Sequence, residues 1–198
     1  MAFSEKFSKK TAESDVFVAK MSDSDVRKPK FIGEVHDVLV DVATGERTAL
    51  PISYNTVVDN CSKLIASLIK RHPGYEGALY WEVGSGLPTW EDNNPPSPSV
   101  TDSQLLTPVY RKPIDISDIV FINDSNEPTE EVTNRIQIVV TFRADEANGY
   151  LREFGLFGGG DDCKREVMGS GLMINRKTHG VIYKTSGMEL QRTLRLTF

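Results

Sequence analysis

The sequence predicts a mainly β protein, β-sandwich-like and built from antiparallel hairpins, with one amphipathic α-helix packed on a sheet (α+β). Three observations carry that expectation. Arg135 to Arg143 alternate strictly, with Ile136, Ile138, Val140 and Phe142 on one side, the period-two pattern of a half-buried strand. Val38, Val40 and Val42 repeat the pattern earlier in the chain, with Val35, Asp37, Leu39 and Asp41 on the opposite, half-acidic and wet face. Between these stretches, Val57, Val58, Cys61, Leu64, Ile65, Leu68 and Ile69 form a single apolar stripe at helical spacing.

The first alternating stretch is expected to turn at Asn148-Gly149 and return through Tyr150 to Phe157. Both turn residues accept positive φ at low cost. That gives a hairpin with a loop of about six residues. The returning strand carries large apolar groups on both faces, which places it inside the sheet stack. Arg152 and Glu153 interrupt it. A charge on a buried face is costly unless paired, so either one face is solvated or Glu153 is buried against a specific cation.

The other elements follow from the same rules. Ala43-Thr44-Gly45-Glu46 turns the Val38 strand back through Arg47 to Pro51, a second hairpin. The helix is expected over Thr56 to Arg71, capped by Asn55 and stopped by Pro73-Gly74. Ala78 to Val83 reads as a short strand. Residues 85–100 hold Pro88, Pro95, Pro96 and Pro98, too many for a helix or a central strand. A long irregular connection of this kind is often a binding element. Trp90 within it is either a partner anchor or a lid over the domain's own core. Asp102 to Leu106 suggests a helical turn. Val109 to Ile114 follows, then Ile116 to Ile122 as a strand; Val167 to Ile174 reads as a glycine-interrupted strand, and Gly180 to Tyr183 leads into the last one. The last strand places Met188, Leu190, Arg192, Leu194 and Leu196 on one face.

Residues 1–30 are rich in Ser, Lys and Asp. They read as an N-terminal arm, either disordered or ordered only on a neighbouring subunit through Phe3, Phe7 and Phe17. Residues 31–198 form a single β-rich domain. At 198 residues and a net charge of −5, the chain does not fit a nucleic-acid binder that works by phosphate neutralisation. No apolar run is long enough to span a bilayer, and the first ten residues lack a secretory segment. Cys61 and Cys163 read as free thiols of a protein made in the cytoplasm.

Patterns that could be mistaken for catalysis read as ordinary structure. Gly84-Ser85-Gly86 and Gly169-Ser170-Gly171 lack the nucleophile-elbow spacing. Ser67 to Lys70 lies on the amphipathic helix. The glycines at 158–160 have no following Gly-Lys-Ser/Thr. His36, His72 and His179 are scattered, and no Cys/His pair has zinc spacing. The sequence therefore points to no enzyme, no metal and no cofactor.

One ordered series of segments runs over roughly residues 33–198. It comprises the Val38-to-Thr48 hairpin, the Asn55-led helix, and Tyr80-Trp81-Glu82-Val83-Gly84-Ser85-Gly86. Thr101-Asp102-Ser103-Gln104-Leu105 follows, then Tyr110-Arg111-Lys112-Pro113-Ile114. It closes with Thr141-Phe142 and Glu146-Ala147-Asn148-Gly149, then Arg152-Glu153-Phe154-Gly155-Leu156-Phe157. In order and spacing this series resembles structural proteins of bacteriophage tails and of phage-tail-like contractile injection particles. The insert Glu91 to Ser99 departs from the pattern. The resemblance implies a non-enzymatic building block at the baseplate or fibre attachment, assembled into a virion or injection particle. Its partners would be other tail or baseplate proteins and further copies of itself, with no nucleic acid and no membrane insertion. Arg111 and Glu153, both in the series and both needing neutralisation, are expected to pair. A stand-alone module binding a surface glycan through Trp90 and Trp81 is the alternative.

Overall fold

The computed structural model describes residues 31–92 and 94–198. The expected arm, with Phe3, Phe7 and Phe17, lies outside the described residues. In chain order the strands are β1 (Ile32–Asp41), β2 (Arg47–Ala49) and β3 (Ser53–Val57), then the helix α1 (Asp59–Ile69). After it come β4 (Glu76–Gly84), β5 (Pro108–Pro113), β6 (Ile119–Ile122) and β7 (Pro128–Thr129). The chain ends with β8 (Arg135–Phe142), β9 (Gly149–Gly159), β10 (Leu172–Lys184) and β11 (Met188–Thr197). They form one 11-stranded antiparallel sheet in the order β5-β4-β9-β10-β3-β1-β11-β8-β6-β7, with β2 on β1.

β3 joins the halves. Its first residues pair with β1 and its last two, Thr56 and Val57, with β10. The halves then face each other, because one core cluster holds Val35, Ile138, Val140, Phe142, Leu190 and Leu194 from the β1 side. From the β9 side the same cluster takes Trp81, Val83, Leu151, Phe154, Leu156 and Ile182. Among the described residues the mainly β, sandwich-like fold with a single α-helix therefore stands.

The expected hairpin at Asn148-Gly149 does not form. β8 pairs with β6 and β11, whereas β9 pairs with β4 and β10. The turn carries the chain from one half to the other, and two lysines fasten it. Lys184 donates to Arg143 O at 2.7 Å and to Asn148 Oδ1 at 3.0 Å. Lys112 donates to Thr141 O at 2.7 Å and to the Glu146 carboxylate, which also accepts from Tyr110. Positive φ falls on Ala147 and Gly149.

Further expectations change. The face of β1 read as wet is the inner one, with Val35 and Asp37 buried, because Arg192 of β11 neutralises Asp37. The helix begins at Asp59, since Asn55 to Val57 are committed to β3, and no side chain caps it. Its stripe is covered only in part: Cys61 and Leu64 are buried, while Ile69 is 79% exposed. Asp102 to Leu106 is not helical. The strand expected from Val167 starts only at Leu172 and runs through the Gly180 stretch as one strand.

β9 is interior as expected, buried continuously from Glu153 to Gly160. Phe157 packs with Met173, Val58, Leu105 and Cys163 in a second, smaller cluster.

Candidate functional site

The proline-rich connection between β4 and β5 has no strand or helix among its described residues, yet it is fastened at several points. Gly86, at φ +62°, lets the Trp90 ring lie against the backbone; a Cβ there would sit 2.4 Å from a ring carbon. Asp92 accepts from Val181 N at 2.9 Å through its carbonyl and from Arg152 Nη2 at 2.7 Å through its carboxylate. The Pro96 carbonyl accepts from Thr178 Oγ1 at 2.7 Å, and the Val100 carbonyl accepts from the N–H of Asp59 at 2.8 Å. Asp102 accepts from Ser99 N at 2.9 Å and from Arg176 Nη1 at 2.7 Å. At its end Thr107 N donates to Glu153 Oε1 at 2.9 Å.

The anchors beneath this segment are buried ion pairs. Glu153 is fully buried against a cation, but that cation is Arg176 (Nη2 to Oε2, 2.5 Å), not Arg111. Arg111 pairs instead with Glu82 at 2.7 Å and donates to Ser170 O at 2.8 Å, while Glu82 also accepts from Gly169 N at 2.9 Å. The correction follows from strand order. Arg111 stands directly opposite Glu82 on the β4–β5 pair, whereas Glu153 lies beyond β4 on β9. A third pair joins Arg192 Nε and Nη2 to Asp37 at 2.7 and 2.6 Å. Arg192 also lies over the Phe154 ring at 4.3 Å, a cation–π contact.

The motif residues divide by role. Asn148 and Gly149 make the crossing, Arg152 holds the proline segment, and Phe154, Leu156 and Phe157 are core. Gly155 is required by close approach, since a Cβ would meet the Asn175 carbonyl at 2.8 Å. Trp81 is fully buried against Phe154, with ring centroids 5.2 Å apart, and cannot serve as a stacking platform. Trp90 is half-buried and folded back on Gly86. The glycan reading therefore loses Trp81 as a platform.

The exposed aromatics are others. Tyr150 and Tyr183, cross-strand partners on β9 and β10, are each 56% exposed with ring centroids 4.8 Å apart. Arg152 lies 5.9 Å from the Tyr150 ring. Pro88 and Gly86 close a cavity of about 370 Å³ beside them. No spacing rule in the sequence marked this pair, because Tyr183 belongs to a strand whose register depends on an irregularity between Thr178 and Ile182.

Both thiols are inward. Burial pushes Cys61 up to about 11, and burial also raises Cys163, although neighbouring Arg111 opposes the rise. Among the described residues no three His, Cys, Asp or Glu side chains converge as metal ligands, and no helix is long and apolar enough to cross a membrane. The arrangement offers a rigid, aromatic-edged surface. The chain matches no family model, no curated protein and no solved structure.

Proposed function

We propose that this chain is a non-enzymatic structural component of a phage tail or contractile injection particle, placed at the baseplate or where fibres attach. It works through contacts with other tail proteins and with copies of itself. The observation that carries this reading is the fastened proline segment. A long surface loop held at Asp92, Pro96, Val100, Asp102 and Thr107 has already lost the freedom that a partner would otherwise have to remove. It presents Leu87, Val100 and Leu106, 41–52% exposed, as apolar contacts. The ordered series of tail-like segments supports the same reading.

The test is assembly. Particles should contain the chain when their proteins are identified by mass spectrometry. Deleting residues 1–30 should block incorporation while the remaining domain keeps its cooperative melt. Particles that assemble normally with the shortened chain would remove the arm from the proposal. A purified monomer that turned over a compound would remove the structural reading altogether.

A further inference from the structure

Two short runs of the proline segment, residues 89–91 and 94–97, line one cavity of about 380 Å³. That volume suits a small-molecule ligand.

The cavity keeps its shape without a ligand. Trp90 N donates to Leu87 O at 3.0 Å and Asn94 N to Glu91 O at 3.3 Å, so each run is tied by a turn. Asp92 is held by Val181 N and Arg152, and the Pro96 carbonyl by Thr178 Oγ1. Pro95 and Pro96 stiffen the second run, because each ring locks its own φ. A ligand meets walls whose freedom is already lost, which lowers the cost of binding.

One wall is aromatic and the others are polar. The six-membered ring of Trp90 lies against Gly86. The indole N–H has no partner among the described residues and is not sealed from solvent. The side chains of Thr89, Glu91, Asn94 and Ser97 are exposed, and none makes a hydrogen bond or ion pair with a described residue. Glu91 is the one charged residue in the lining. Its neighbour Asp92 is already matched by Arg152.

This set of groups selects among ligand classes. A carboxylate only accepts, whereas an amide or a hydroxyl both donates and accepts. An anion would face Glu91 with like charge. An ammonium ion would suit Glu91 and the indole, but it offers no acceptor to the Asn94 amide or the indole N–H. A polyhydroxylated ring answers all of them, with hydroxyls that donate and accept and a C–H face for the indole.

We propose that this cavity binds a neutral saccharide, with Trp90 against its ring, Glu91 accepting from its hydroxyls and Asn94 both donating and accepting. The saccharide site goes beyond the structural role, whose apolar contacts Leu87, Val100 and Leu106 lie outside this lining. Either can fail without the other.

The test is saturation-transfer NMR and tryptophan-fluorescence titration of the full chain with glucose, galactose and N-acetylglucosamine. Glucuronic acid and choline are the charged controls. At least one neutral sugar should bind at millimolar concentration and change the emission of Trp90, since Trp81 is sealed in the core. The best neutral sugar should exceed both controls by about threefold or more, the scale of one exposed charge contact. Trp90→Ala should weaken it by about tenfold, and Asn94→Ala by about threefold. Glu91→Gln should narrow its lead over glucuronic acid. If Trp90→Ala fails to fold, the two variants at exposed positions still decide. The proposal is overturned by no binding of any neutral sugar, by a control that binds as well as the best of them, by unchanged binding in a folded Trp90→Ala, or by a lead over glucuronic acid that Glu91→Gln leaves unchanged.

Discussion

Replacing Glu153 by alanine should be among the most damaging single changes in the domain. The side chain is fully buried, and its carboxylate accepts from Arg176 Nη2 at 2.5 Å and from Thr107 N at 2.9 Å. Removing it strands a guanidinium whose Nε already lacks a partner and leaves the Thr107 N–H unmatched. Breaking one side of a buried ion pair costs about 3–5 kcal/mol. Arg176 keeps Asp102 as a second partner, so about 3–4 kcal/mol is expected. For a domain of this size that lowers the melting midpoint by roughly 10 °C. Urea unfolding followed by tryptophan fluorescence measures it, because Trp81 is wholly inside the core. A double-mutant cycle with Arg176→Met should show coupling above about 1 kcal/mol, whereas the cycle with Arg111→Met should be nearly additive. A loss below about 1 kcal/mol would place the pair at the surface. Coupling to Arg111 instead of Arg176 would refute the strand order on which the assignment rests.

The remaining predictions concern pH, thiols and the Trp90 seat. His179 has a folded pKa of about 3 against an ordinary 6.5. Above pH 6.5 it contributes nothing. Between 6.5 and 3 only the unfolded chain takes the proton, so stability falls on acidification by up to about 1.4 kcal/mol per pH unit. Urea melts from pH 7 to 4 should show a shallower fall for His179→Gln, and identical slopes would contradict a neutral imidazole held against Arg192. Cys61 and Cys163, both buried with raised pKa values, should resist a thiol reagent in the folded protein and react fully in denaturant; rapid native labelling would refute their placement. Gly86→Ala should displace the Trp90 ring, shift tryptophan emission to the red and cost about 1–2 kcal/mol. An unchanged spectrum would mean the ring does not sit there.

Strand identity was legible where alternation is strict, as in Ile136, Ile138, Val140 and Phe142, or at the Leu190-Arg192-Leu194 face. Strand pairing was not. Asn148-Gly149 is the local signature of a hairpin, but a turn of that chemistry serves equally well to cross between facing sheets. The choice is made by β4, β10 and β11, residues far away in the chain. The start of the helix was misplaced for a related reason. Val57 fits the helical stripe as well as it fits β3, and only the presence of β1 and β10 beside it decides.

The buried charges carried more information than composition suggests. Asp37 lies between Val35 and Leu39 on one face of β1, and Arg192 between Leu190 and Leu194 on one face of β11. A charge centred in an apolar face has to meet its opposite, so each predicts a partner without naming it. In the fold they stand directly opposite, Asp37 to Arg192, as do Glu82 and Arg111. A one-residue slip of either strand would turn its apolar face outward. A two-residue slip keeps the faces but separates the charges, leaving both unmatched at a cost of several kcal/mol. Hydrophobic alternation alone is blind to that second error. The ion pairs close this gap, because only the observed register matches every charge with its opposite.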